Sequence, residues 1–483
     1  MRQSLLLTCL CVLAASCSKR REDPAPSVPE SPPLQAAMTG PSTGPTTPPS
    51  AAEKPAAVDL EKFARTAAEA IRDEKLSVLI GLFDEKMTEL LPLERLTQTM
   101  AVSKLSNGAL KAIGSVEMKK REKYMLVQVT CEHEFFKKVF LRLTFDERGR
   151  IAGLFTVPDP TSHVWTPPAY VRPDAVTSEE ITVGSGEWAV PGTIVRAVGA
   201  VAPAPAVVLV HGSGPQDRDE TSGPNKPFKD LAMGLASRGI TVLRFEKRTK
   251  VHAARVASMK GPFTLREESV EDAVAAVRLL LADKGVDPKR IFLIGHSLGA
   301  RAIPRAAAEL KGDVAGLILM AGSPLALEDK IVEQTTYLIS RSGAVSAEAA
   351  AQLEIIKKQA AFVKSDKLTA QSPAAELPLG IGTGAYWMDL RDHDTVRMIR
   401  ELKLSVLILQ GERDYQVTLK DDFGAWKEKL RGVPKVTFQA FPGLNHFFMA
   451  GTGESLPAEY SVPGHVAAEV IDALAAFILP PPR

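Results

Sequence analysis

The sequence lacks a long block of one charge, enough cysteines for a cross-linked scaffold, and an apolar run long enough to span a bilayer as a helix. Its 59 basic and 57 acidic residues leave a formal charge of +2, so the dense basic footprint of a nucleic-acid-binding protein is missing. The four cysteines stand at 9, 11, 17 and 131. Cys9 and Cys11 fall in a leading apolar segment, and Cys131 has no partner in the body of the chain, which excludes a disulfide framework or a cysteine-held metal cluster. Cys131 sits in the alternating run "YMLVQVTCEHE", the setting of a small buried hydrophobe. The apolar run from Leu5 to Ala15 is well short of the ~20 residues that cross a membrane. Glycine pairs lack dinucleotide spacing and no phosphate loop is present, so the sequence implies no cofactor, and no metal site either.

What the first residues do contain is an export signal over 1–17: an early arginine, the short apolar run, then small residues up to Cys17. "AASC" resembles the lipobox of bacterial lipoproteins. The resemblance implies lipidation at Cys17 and a lipid anchor in the bacterial envelope, in the outer membrane because Ser18 is not acidic. The alternative is cleavage to a soluble periplasmic protein. Residues 18–57 are dominated by Pro, Ser, Thr and Ala, with too little apolar surface to offset the entropy of ordering, and read as a disordered, semi-extended tether.

Two folded units are expected beyond it. In 58–158, apolar residues at Leu60, Phe63, Ala64, Ala67 and Ile71 recur at helical spacing, and the alternating runs "KYMLVQVTCEHE" and "KKVFLRLTFDERGRIAGLFTV" predict antiparallel strands. This makes a small α+β domain that resembles cystatin-like or nuclear-transport-factor-like (NTF2-like) units, and no catalytic constellation is visible in it. A proline-rich joint, "VPDPTSHVWTPPAYVRP", leads to a second unit over 174–483. There "AVVLVHGSG", "ITVLRFEKR", "RIFLIGHS", "VAGLILMAGS" and "LSVLILQGERD" are buried strands separated by helices, the pattern of a mostly parallel α/β sheet. The excess between the last two, about 323–398, reads as a helical cap inserted over the site.

The stretch "IFLIGHSLGA" carries the chemistry. A β-branched and aromatic strand runs into Gly295-His296-Ser297-Leu298-Gly299 and on into a helix, with Pro304 in its opening turns. Strand, tight turn and helix is the setting of a nucleophile elbow, in which two glycines let the backbone fold back and expose the serine. A serine hydroxyl needs a base, and the base an orienting acid. Asp414 in "GERDYQV" and His446 in "PGLNHFF" supply both, each just past a strand, in the order Ser, Asp, His. The glycine turn "HGSG" at 211–214 offers a backbone amide, that of Ser213, to pair with the amide of Leu298 as an oxyanion hole. His211 is expected to brace that turn. In "DRDE" at 217–220, Arg218 between the acids points to an internal ion-pair brace in place of a metal site.

At this point the second unit resembles the α/β-hydrolase superfamily, and within it the serine-aminopeptidase-like esterases of secreted bacterial proteins. The residues that carry the resemblance are "HGSGPQDRDE", "LRFEKRT", "GHSLGA", "YWMDL", "LILQGERDYQV" and "GLNHFF". It implies an α/β-hydrolase fold with a helical cap and a Ser297–Asp414–His446 triad. It also implies hydrolysis of a small-molecule carboxylic ester through an acyl-enzyme, with no cofactor and no nucleic acid. Tyr386 and Trp387, near the end of the cap, are candidates for the acyl pocket, though a core role fits either ring equally. A peptidase or amidase with the same triad is the alternative, and a non-catalytic binding protein on this fold a third.

Overall fold

The computed structural model describes residues 59–479 apart from 122, 136–137, 159–163, 200–202, 260 and 342–346. The leading segment, Cys17 and the tether lie outside the described residues.

The chain enters its first unit at Asp59, whose carboxylate caps the helix Leu60–Arg72 by accepting from the Lys62 amide. Ala64, Ala67, Ala68 and Ala70 form the buried face of that helix, and their small side chains let it lie close on the sheet beneath. The helices Leu76–Gly81, Glu85–Leu90 and Leu93–Asn107 follow. Four strands then meander antiparallel in sequence order: β1 (Leu110–Arg121), β2 (Tyr124–His133), β3 (Val139–Phe145) and β4 (Ile151–Pro158). β1 escapes the sequence patterns because most of it faces solvent and bulges break its register with β2. In β2, Val127, Val129 and Cys131 alternate inward, and burial pushes the Cys131 thiol up to about 11. The helix Leu93–Asn107 keeps Leu96 in this core and also packs on the cap of the next unit, with Arg95 donating to the Gly380 carbonyl at 3.5 Å.

The second unit holds an eight-stranded sheet: β5 (Val176–Val183), β6 (Val190–Ala197), β7 (Ala204–Val210), β8 (Thr241–Phe245), β9 (Val286–His296), β10 (Gly316–Met320), β11 (Ser405–Gly411) and β12 (Val436–Phe441). The spatial order is β12-β11-β10-β9-β7-β8-β6-β5, with β6 alone running against the rest. Both faces are covered, which explains the unbroken apolar runs of the central strands. Along β7, Ala206, Val208 and Val210 enter one core while Val207 and Leu209 enter the other. β9 divides its side chains the same way, Ile291 and Leu293 against Phe292 and Ile294.

Helices fill the interval between β10 and β11. Leu327–Arg341, Ala347–Lys364 and Gly384–Asp392 build the cap, whereas Thr395–Leu402 packs on the helix Leu298–Glu309. Pro304 is the seventh residue of Leu298–Glu309, at the close of its second turn.

Candidate active site

Ser297 follows the last residue of β9, in the middle of the sheet, and its backbone sits at φ 54°, ψ −115°. A non-glycine residue at positive φ costs of order 1–3 kcal/mol and must be held by its surroundings. Two hydrogen bonds and the close packing of the flanking glycines hold it. The Ser297 amide donates to the Met320 carbonyl at 2.9 Å, and the Ala300 amide donates to the Ser297 carbonyl at 3.1 Å. Gly295 lies against the Gly299 carbonyl and Gly299 against the Val210 and His211 carbonyls, so closely that a side chain at either place would overlap backbone. The two glycines are thus required by contact as well as by the turn. Ser297 remains partly exposed between buried neighbours, and the helix that starts at Leu298 presents its positive dipole end there.

Asp414 and His446 come from the neighbouring strand ends. Asp414 follows β11 and His446 follows β12, so both share the carboxyl rim with Ser297. His446 Nδ1 lies 2.5 Å from Asp414 Oδ2, and both residues are buried. The other carboxylate oxygen accepts from the Gln416 and Val417 amides at 2.8 and 3.2 Å, and Gln410 Nε2 donates to Oδ2 at 3.2 Å. Four donors thus converge on one buried carboxylate. Asn445 shapes the base loop: its side-chain oxygen accepts from the Phe447 and Met449 amides. Gly411 lets the acid and base loops meet, since a side chain there would run into the Leu444 and Asn445 carbonyls.

The glycine turn reaches the serine as well. A methyl group on Gly212 would stand 3.2 Å from Ser297 Cβ, which places Ser213 beside the elbow. His211 is buried between Phe228, with which it stacks, and Phe245. Burial pushes its imidazole down to about 4, so it is neutral near pH 7 and braces the turn as an aromatic filler. The brace expected inside "DRDE" is arranged otherwise. Arg218 reaches out to Glu180 and Glu246, and Asp219 pairs with Lys226 and Arg244. Glu220 alone turns inward, accepting from the Gly212 amide at 2.7 Å and standing 3.0 Å from His296 Nδ1. The far nitrogen of His296 is 2.9 Å from the His446 carbonyl, so the residue before the serine ties the glycine turn, through Glu220, to the loop that carries His446.

Sequence reasoning missed Glu220, His296, Gln410 and the buried Lys247, all of which touch the loops of the site. Tyr386 and Trp387 both point into packed surroundings. Trp387 is wholly buried and its indole donates to the Ile381 carbonyl, while the Tyr386 hydroxyl donates to Glu268 at 2.7 Å. The aromatic groups beside the acid and base are others. Tyr337, on the first cap helix, stacks on Tyr415, and Phe447 stacks on His296.

A mostly parallel sheet with a serine on a strained turn, and with a carboxylate and a histidine at two further strand ends, marks the hydrolase class of α/β proteins. The chain belongs to the alpha/beta hydrolase family, whose sequence model matches residues 207–460. It is 39% identical over 337 residues to Esterase EstD of Thermotoga maritima, an overlap that spans 70% of this chain and 76% of that protein. Among solved structures it is similar to Est1E from Butyrivibrio proteoclasticus, at 14% identity and a TM-score of 0.39 over 62% of this chain and 97% of that one. It is also similar to the Pyrococcus furiosus esterase Pf2001, at 18% identity and a TM-score of 0.36 over 59% and 88%.

Proposed function

We propose that this hydrolase cleaves carboxylic esters through a covalent acyl-enzyme on Ser297. The observation that carries the reading is the buried His446–Asp414 pair at 2.5 Å on the same rim as the strained Ser297. His446 takes the proton of the Ser297 hydroxyl as the oxygen attacks the ester carbon, and Asp414 holds the ring with its other nitrogen turned to the serine. The carbonyl oxygen becomes an anion, which the amides of Ser213 and Leu298 receive. His446 then returns the proton to the leaving alcohol. Water repeats the sequence to release the acid. An ester is favoured over an amide because an alkoxide leaves without early protonation, whereas an amine must be protonated in a well-positioned complex. The resemblance to a protein named an esterase supports the same choice.

The test is turnover of p-nitrophenyl acetate and butyrate against aminoacyl p-nitroanilides, with Ser297→Ala as control. Ester turnover abolished by the substitution is the expected result. Turnover that survives it sinks the assignment, and anilide rates above ester rates transfer the reading to a peptidase. We further infer an envelope location, through a lipid on Cys17 and the tether at 18–57, on the sequence features alone.

A further inference from the structure

Lys247 is one of the most deeply buried long side chains in the molecule, and it points at the back of the site. Its ammonium donates to the Gly212 carbonyl at 2.8 Å and to Glu268 Oε1 at 2.5 Å, and the second Glu268 oxygen accepts the Tyr386 hydroxyl from the cap at 2.7 Å. A buried cation paired with a carboxylate is expensive to assemble and is weak support for stability in itself. What it touches is informative. The Gly212 carbonyl and the Ser213 N–H belong to one planar trans peptide group, so they point in opposite directions. A cation on the oxygen draws electron density toward it through the amide resonance and leaves the hydrogen on the other side more positive. Hydrogen-bonded groups in series polarise each other in this way.

We propose that Lys247 is a positioning residue that strengthens the oxyanion hole through the Gly212–Ser213 peptide, and that Glu268 and Tyr386 couple it to the cap. The proposal rests on the reading of Ser213 as an oxyanion donor. Glu220 fixes the preceding peptide from the other side by accepting the Gly212 N–H. With both ends of Gly212 held, the Ser213 amide has a set direction before substrate arrives, and preorganisation of that kind acts on the transition state more than on substrate binding. Lys247 touches neither substrate nor reacting atoms.

The experiment compares wild type, Lys247→Arg and Lys247→Gln on p-nitrophenyl acetate and with a trifluoromethyl ketone inhibitor. The ketone reports on the hole directly: Ser297 Oγ adds to its carbonyl carbon, the serine proton passes to His446, and the carbonyl oxygen becomes an anion facing the two amides. Gln keeps a hydrogen bond to the Gly212 carbonyl without the charge, and Arg keeps the charge spread over a larger group. The expected order in kcat and in ketone affinity is wild type, Arg, Gln, with KM held. The loss in Lys247→Gln is roughly 10- to 100-fold, below the 10²–10³ of deleting a whole donor. Wild-type kcat in Lys247→Gln, or a fall in kcat with ketone affinity unchanged, overturns the proposal. If Lys247→Gln does not fold, the step from wild type to Lys247→Arg decides by the same parallel: kcat and ketone affinity fall together, or the assignment is wrong. Ketone binding that survives Ser297→Ala would overturn the reading of the site itself, and the Lys247 assignment with it.

Discussion

Replacing Asp414 by Asn isolates one atom of the site. Asp414 Oδ1 accepts two backbone amides, so the oxygen of an asparagine side chain stays there and its NH2 group takes the place of Oδ2. That group then faces His446 Nδ1, now at 2.5 Å, and Gln410 Nε2 at 3.2 Å. Gln410 cannot readily turn its own oxygen to meet it, because Nε2 also donates to the Val417 carbonyl at 2.7 Å. The histidine can accommodate the new donor by accepting at Nδ1, which moves its proton to the nitrogen facing Ser297 and removes the base. The expected loss is roughly 10⁴-fold in kcat, about 5 kcal/mol of transition-state stabilisation, with little change in KM. Stopped-flow release of p-nitrophenol measures it, alone and in combination with Ser297→Ala. The double variant should be scarcely worse than the worse single one, because the three groups act as a unit. An Asp414→Asn enzyme retaining a tenth of wild-type kcat would refute the assignment of the acid.

The other expectations concern stability and assembly. His211 is held neutral with its imidazole at about 4 against an ordinary 6.5, so the unfolded chain binds the extra proton first and stability is lost as pH falls from about 6.5. Between pH 7 and pH 5 this one residue should cost about 2 kcal/mol of unfolding free energy. Burial lowers His393 and His133 in the same direction, while contact with Asp230 raises His465 and works the opposite way, stabilising at low pH and fading as pH rises. Urea titrations of wild type and His211→Gln at the two pH values check the slope, which should shrink in the variant. Trp387→Ala should lower stability by about 3–5 kcal/mol and leave acyl-chain preference unchanged; a shifted chain-length profile in a folded variant would return Trp387 to the acyl pocket. A protein beginning at Val164 should still hydrolyse small esters but lose the support that the helix Leu93–Asn107 gives the cap, seen as a lower Tm and a KM altered more than kcat. Cells fed labelled palmitate should label the full-length protein and not Cys17→Ser, and equal labelling would dismiss the lipid anchor.

The parts of the site that were legible in the sequence share one property. Ser297, Asp414, His446 and Ser213 each stand just past a run legible as a strand, unbroken and apolar before Ser213, Ser297 and Asp414 and alternating in "VTFQAF" before His446, and parallel strands deliver their carboxyl ends to one rim. Chain order and strand position were therefore enough to put these four candidate residues, which span 213 to 446, on one rim. The helices of the cap were legible as an excess of chain, but which faces Tyr386 and Trp387 present depends on how those helices pack. That packing leaves no periodic trace around two adjacent aromatics. β1 was illegible for the opposite reason, since a mostly exposed strand carries no alternation.

The residues that stayed hidden are those whose partners are backbone groups of other loops. Glu220 meets an amide eight residues earlier, Lys247 a carbonyl thirty-five residues away, and His296 a carbonyl one hundred and fifty residues away. A backbone amide or carbonyl is the same group at every position, so nothing in the identity of residue 212 or 446 announces that a charged or polar side chain seeks it. In "FEKRT", Lys247 and Arg248 are adjacent cations, and only the fold separates them: Lys247 turns to the Gly212 carbonyl, and Arg248 to Glu271 and Asp272. Charged residues directly after a buried strand in this sheet lie at the rim where the loops converge. There a buried cation that meets a carbonyl acts on the peptide beyond it, and at Gly212, which has no side chain, the backbone groups are what such a cation meets.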